Sequence, residues 1–228
     1  MSAATTLSYL DSYCERAGEA GLMAEPLNAF TNLAFIIAAM FAISLWRNSR
    51  EATWRGSIDI IVLIVLLFAI GLGSGAWHFF ADSHTLLMDV IPIVLFMNLF
   101  LIAAAIRLLG LKWWGALLLF GLFQVLNIGS EMYLPRDFLN GTIMYLPAYG
   151  LLMAIVIWVN AKRNITRHLL FKALFLWSLS LAFRTLDTEL CPVLPIGTHF
   201  LWHIVNAMVL YLLLKSLITA QAVSLTRR

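Results

Sequence analysis

The sequence predicts an all-α fold: a bundle of seven transmembrane helices with the N-terminus outside and the C-terminus in the cytoplasm. Three observations lead there: an excess of apolar residues, their division into runs of membrane-crossing length, and positive charge collected on one side. Of 228 residues 62% are hydrophobic and only 12% charged, with a mean hydropathy of +0.90. A soluble domain of that size has no interior large enough for so much apolar surface, whereas a bilayer accepts it on the outside of a bundle.

A hydrocarbon core of about 30 Å needs about 20 mostly apolar residues per helix. Seven stretches qualify, at 28–46, 57–80, 86–106, 112–128, 142–160, 168–185 and 198–218. The fourth is short and the sixth is interrupted by polar residues. Pro92 and Pro147 fall inside the third and fifth, where each should kink its helix. This divides the chain into an outer segment (1–27), a membrane domain (28–218) and a cytoplasmic tail (219–228). No basic start runs directly into an apolar core, so no cleaved signal peptide is expected, and no internal repeat suggests a transporter. No nucleic-acid motif or basic face is present.

Orientation follows from the basic residues. With seven spans, the first, third and fifth loops share a side with the C-terminus. That side carries Arg47, Arg50, Arg55, Arg107, Lys112, Lys162, Arg163, Arg167, Lys172, Lys215, Arg227 and Arg228. The other has only Arg16, Arg136 and Arg184. Acidic residues are distributed in the opposite sense, all but Glu51 and Asp59 lying on the N-terminal side. Cys14 and Cys191 both fall on the outer side, where an oxidising compartment permits a disulfide. The tryptophans read as interfacial anchors, Trp113 and Trp114 most plainly.

Polar groups inside spans are costly and mark function. The second stretch ends in Gly73-Ser74-Gly75-Ala76-Trp77-His78 and the third opens at Leu86-Leu87-Met88-Asp89. The seventh opens at Gly197-Thr198-His199-Phe200-Leu201-Trp202-His203. The second runs outward and the other two inward, so Ser74, His78, Asp89, His199 and His203 share one membrane level. Histidines four apart lie on one helix face. With a third from another helix they make a three-ligand site with an open position, the catalytic zinc pattern. A hydrogen-bonded core histidine, or a pair binding haem, is the competing reading of each ring. His84 is placed in an outer loop, where it could compete as a ligand, and His168 at the cytoplasmic end. Arg184 and Asp187, three apart, are expected to pair locally. Asp11, Glu15, Glu19 and Glu25 could offer oxygens to a hard cation such as calcium, or form an ordinary solvated acidic segment.

As a set, Tyr13-Cys14-Glu15, Glu25-Pro26-Leu27-Asn28, Ser74-xxx-His78, Asp89 and His199-xxx-His203 resemble the alkaline ceramidase family. That family belongs to a superfamily of seven-helix membrane hydrolases that includes the adiponectin-receptor-like proteins. The resemblance spans essentially the whole chain. It implies zinc on His78, His199 and His203, with Ser74 and Asp89 beside it. The implied reaction is hydrolysis of the ceramide amide bond to a sphingoid base and a fatty acid. Asp89 would take a proton from the attacking water and pass it to the leaving nitrogen, and the Ser74 hydroxyl would steady the oxyanion. The family's calcium segment, Asp-Trp-Cys-Glu-x-Asn, is here Ser12-Tyr13-Cys14-Glu15-Arg16-Ala17. Glu15 and Glu25 carry over, with Asp11 near enough to stand in for the missing Asp. Leu27 and Ala29 flank Asn28 where the family has Trp and Thr. These departures read as a divergent member, of bacterial type, whose amide substrate need not be ceramide itself. The expected partner is a membrane lipid, ceramide or another N-acyl lipid. The expected site opens toward the extracytoplasmic face. A receptor-like protein with a structural zinc site is the alternative; a transporter or haem-binding electron carrier ranks below it.

Overall fold

The computed structural model describes residues 13–19, 21–49, 53–135 and 139–225. Seven helices in it are long and apolar enough to cross a membrane: α1 (Pro26–Arg47), α2 (Arg55–Phe80), α3 (Ser83–Arg107), α4 (Trp113–Tyr133), α5 (Thr142–Ala161), α6 (Arg167–Leu190) and α7 (His199–Ala222). The chain is an integral membrane protein. Its large exposed side chains, among them Leu118, Val125, Phe171 and Phe175, are the lipid-facing surface that composition required.

Consecutive helices pack side by side, and α7 closes the ring by packing on α1, α2, α3 and α6. It is the most enclosed span, 61% of its apolar window being buried against 11% for α4. A residue early in α7 is therefore surrounded by protein, whereas α4 stands largely in lipid. The fourth span continues to Tyr133 and the sixth to Leu190, both beyond their expected ends. Satisfied helical backbone is the low-energy state in lipid, so a few polar side chains do not end a helix there.

Local chemistry sets the joints. α1 is interrupted at Asn32, between Pro26–Thr31 and Leu33–Arg47, and the Asn32 amide donates to the carbonyl of Asn28 (2.8 Å). α2 ends at Ala81, whose φ of 48° is left-handed, and Asp82 at once caps α3 through the backbone N–H groups of His84 and Thr85. Two residues thus turn the chain back on itself, and α2 and α3 form a tight hairpin. Pro92 lies inside α3 as expected. Pro147 lies in α5 but not in the helix interior, and so does not kink it. It sits in the first turn of Leu146–Ala161, just after a 3₁₀ turn at Thr142–Tyr145, where a proline's missing N–H costs nothing.

Pro92 also has a consequence across the hairpin. It cannot donate to the carbonyl of Met88, four residues earlier. That carbonyl lies directly over Gly73 of α2, so that any Cβ there would strike it. The glycine lets α2 and α3 approach at the level where Ser74 faces Asp89. At the same end of the bundle, Cys14 and Cys191 form a disulfide (Cα–Cα 5.3 Å) that ties the N-terminal segment to the connection before α7. The far end is held by Arg107, which donates to both carboxylate oxygens of Asp59 (2.6 and 2.7 Å).

Gly73→Ala should therefore lower the thermal midpoint of the detergent-solubilised protein by several degrees, as overpacking costs about 1–3 kcal/mol. Gly121→Ala, whose added methyl meets nothing within 4 Å, should be neutral or slightly stabilising. Equal midpoints for the two variants would contradict the close α2–α3 approach.

Candidate metal centre

His78 lies near the end of α2, His199 is the first residue of α7 and His203 stands one turn further on. All three are buried, and one ring nitrogen of each lies within 4.8 Å of the others. The hydrogen-bond network assigns two of the tautomers. The Thr31 hydroxyl has one proton, which it gives to the Leu27 carbonyl (2.6 Å). It therefore accepts from His203 Nδ1 (3.0 Å). His78 Nδ1 donates to Glu25 Oε2 (2.5 Å). Both Nε2 atoms then carry lone pairs, and they face each other at 3.2 Å.

Two lone pairs at that distance repel unless a cation lies between them. The donor set fits zinc: with Zn–N near 2.0–2.1 Å, the edge of a tetrahedron is about 3.3–3.4 Å. His199 Nδ1 is buried with no hydrogen-bond partner among the described residues, the condition of a nitrogen whose partner is an ion or a water. Its ring lies against Trp202 (centroids 5.1 Å, interplanar angle 18°) and Tyr13 (4.1 Å).

Support for the ligands comes from the N-terminal segment. Glu25 is 1% exposed, and its second oxygen, Oε1, accepts from Arg16 Nε. Asn28 adds a bond to Oε2 (3.0 Å). Arg16 also donates to the carbonyls of His78 (2.8 Å) and Glu19 (3.3 Å). Burial alone would raise the Glu25 carboxyl. The bonds from His78, Arg16 and Asn28 outweigh it and hold the group below the ordinary carboxylate range. Glu15 accepts from the backbone N–H groups of Leu27 and Asn28 (2.7 and 2.8 Å), and burial leaves its carboxyl raised. Asp11 lies outside the described residues. Tyr13 is pushed up to about 12 by burial, so its phenol stays protonated beside His199.

The local pair expected of Arg184 and Asp187 does not form. Asp187 turns away to cap α7, accepting from the N–H groups of Thr198 (2.6 Å), His199 (2.8 Å) and Cys14 (3.2 Å). Three buried backbone donors bind a carboxylate better than one flexible guanidinium on the same helix. Gly197, with a φ of 63°, leaves room for this cap, since a Cβ there would strike Asp187 and Cys14. His84 and His168 are both exposed and outside the cluster.

Ser74 and Asp89 lie beside one another across the α2–α3 hairpin. Ser74 Oγ and Asp89 Oδ1 are buried without hydrogen-bond partners among the described residues. Asp89 and His199 line one end of a cavity of about 390 Å³ between α3, α4, α5, α6 and α7. Through Ile93, Met97, Phe123 and Tyr145 it meets a second, apolar pocket deeper between the helices. The sequence reading did not include Thr31, Arg16 or Tyr13 in this centre. Nor did it foresee that Glu25 would serve His78. Only the three-residue step from Asn28 to Thr31 on one helical face hinted at the first.

Seven membrane-crossing helices around three converging, buried histidines define an integral membrane protein with a candidate metal centre at one end of its bundle. Residues 8–228 match the family described as Ceramidase, and the chain belongs to that family. Membership points to hydrolysis of a lipid amide. No curated protein matches the sequence.

Removing the carboxylate that orients His78 tests the assembly. Glu25→Gln should weaken zinc binding by about 10–100-fold, the usual cost of losing a ligand's own hydrogen-bond partner. Competition with a chromogenic chelator measures it, and unchanged affinity would remove Glu25 from the centre.

Proposed function

We propose that this protein is a zinc-dependent hydrolase of lipid amides, with ceramide or a close N-acyl relative as substrate. The observation that carries the reading is the pair of histidine Nε2 atoms facing each other at 3.2 Å at the end of the bundle where Ser74 and the Asp89 carboxylate adjoin. Zinc held by His78, His199 and His203 would lower the pKa of a water molecule and polarise the amide carbonyl.

The chain's own residues supply the rest. Asp89 stands at the cavity end, where it can accept a proton from the attacking water and hand it to the leaving nitrogen. Amide cleavage needs that transfer, because an amide anion is too basic to depart. Ser74, which lies against Asp89, can donate to the oxygen that gains charge. The apolar pocket beyond Ile93 and Phe123 suits an acyl chain and keeps water from the far side of the site.

The N-terminal side is read as extracytoplasmic from the basic residues of the opposite loops, and the Cys14–Cys191 disulfide supports the same side. The site then opens toward the outer face. In the acidic cluster, donors already occupy both oxygens of Glu15 and of Glu25. This favours the Arg16 guanidinium, 2% exposed, over calcium as the cation of that cluster.

Two tests follow. Asp89→Asn should retain stoichiometric zinc yet lose at least about 100-fold in turnover of ceramide, the scale of general-base catalysis; His203→Ala should lose both. Full activity in Asp89→Asn would end its assignment. Chelation selective for calcium should leave activity and thermal midpoint unchanged, and a midpoint that rises with added calcium would restore a calcium site at Glu15 and Glu25.

A further inference from the structure

Arg184 is a cation inside a membrane helix, near Asp89 across a shared cavity but with no carboxylate in contact with it among the described residues. Among the described residues it forms no ion pair, since Asp187 is committed to the start of α7 and the ion pairs present involve other groups. Its Nε is buried without a hydrogen-bond partner. Its guanidinium carbon lies over the Tyr145 ring at 5.7 Å and the Trp202 ring at 5.4 Å. Arg184 lines the 390 Å³ cavity in company with Asp89, His199 and Tyr13. An ionised group at membrane depth is expensive and marks a ligand or an ion path. The guanidinium lies close to both rings, and a planar fork fits a carboxylate with two parallel hydrogen bonds.

We propose that Arg184 is a carboxylate-binding residue of the acyl cavity, and that the anion it receives is the carboxylate of a fatty acid. The inference rests on the hydrolase reading above, which places an acyl chain in this cavity. A neutral N-acyl lipid offers Arg184 only dipoles. Cleavage of its C–N bond by water turns the neutral carbonyl end into an anion at the end of the cavity where Arg184 lies. The arginine therefore binds product more tightly than substrate, and free fatty acid inhibits. The same chemistry would come from a lipid whose head group carries a carboxylate, such as an N-acyl amino acid.

Binding to the zinc-loaded protein in nanodiscs separates these sources without reading turnover. Hexadecanoate should bind at least about tenfold more tightly than hexadecanol to the unaltered protein, as expected for a charge-assisted bond. Arg184→Met should reduce that ratio to about threefold or less. The remainder is the metal's own preference for the acid, common to both proteins. Arg184→Lys, which keeps the charge without the fork, should fall between, and it serves if the Met variant does not fold. N-hexadecanoylglycine compared with N-hexadecanoylethanolamine tests the head-group source. If only that pair loses its ratio in Arg184→Met, the carboxylate belongs to the substrate and the fatty-acid assignment is overturned. If neither pair changes in either variant, Arg184 binds no carboxylate. A protein that hydrolyses no N-acyl lipid but keeps an Arg184-dependent preference for hexadecanoate would refute the hydrolase reading and leave this one standing.

Discussion

The geometry of this centre depends on two imidazole nitrogens that face each other and that a cation would bring into balance. Glu25 and Thr31 take the Nδ1 protons of His78 and His203, so both Nε2 lone pairs are presented inward at 3.2 Å. In a buried, poorly solvated site that repulsion is not screened by water. The outer hydrogen bonds therefore do more than orient rings. They would favour a metal ion at this position, and binding of one would then be coupled to folding at this end. The N-terminal segment, with its disulfide and its buried Arg16, follows from the same requirement. Glu25 must be held ionised against His78, and a lone buried carboxylate would not remain so.

Membrane packing gives this local chemistry its place. α7 contributes two of the three histidines and is the most enclosed span, so its first turn is shielded from lipid on nearly every side. Its exposed N-terminal N–H groups need an acceptor, which Asp187 provides from the end of α6. On the other side, a two-residue turn and one glycine bring α2 and α3 close enough for Ser74 to face Asp89. None of these contacts is a metal ligand, yet each fixes the position of a residue beside the ligands.

Much of this was legible in the sequence, for a physical reason. Hydropathy reports helices in lipid directly, because every backbone group there must bond within its own helix. Alternating helix direction then placed His78, Asp89, His199 and His203 at one level before any packing was known. Interactions decided by side-chain competition were not legible. The sequence offered Arg184 and Asp187 as neighbours three apart, but not the bare N–H groups of Thr198 and His199 that won the aspartate. It offered Glu15 and Glu25 as acids. It did not reveal that donors from Arg16, His78 and the start of α1 would fill them. Pro147 was misplaced for a similar reason. Hydropathy does not separate a 3₁₀ turn from the α-helix that it introduces.

Several of the polar groups with unmet bonding capacity converge. Ser74 Oγ, Asp89 Oδ1, His199 Nδ1 and Arg184 Nε are each buried and without a hydrogen-bond partner among the described residues, as are Asn28 Oδ1, Asn32 Oδ1 and Trp46 Nε1 away from the cavity. Asp89, His199 and Arg184 line one cavity, and Ser74 adjoins it through Asp89. Other polar groups between helices are matched: Arg107 with Asp59, Gln124 with Asn98 (2.6 Å), Thr185 with Thr142 (2.9 Å). Leaving a buried donor or acceptor unmatched costs about 1–3 kcal/mol, so a fold that tolerates several together does so where something else completes them. A lipid amide drawn in from the bilayer brings a carbonyl, an N–H and, after cleavage, an anion. On the proposed reading those are the complements that the hydroxyl, carboxylate and guanidinium of this cavity would take, which would set these unmatched groups to chemistry rather than to stability.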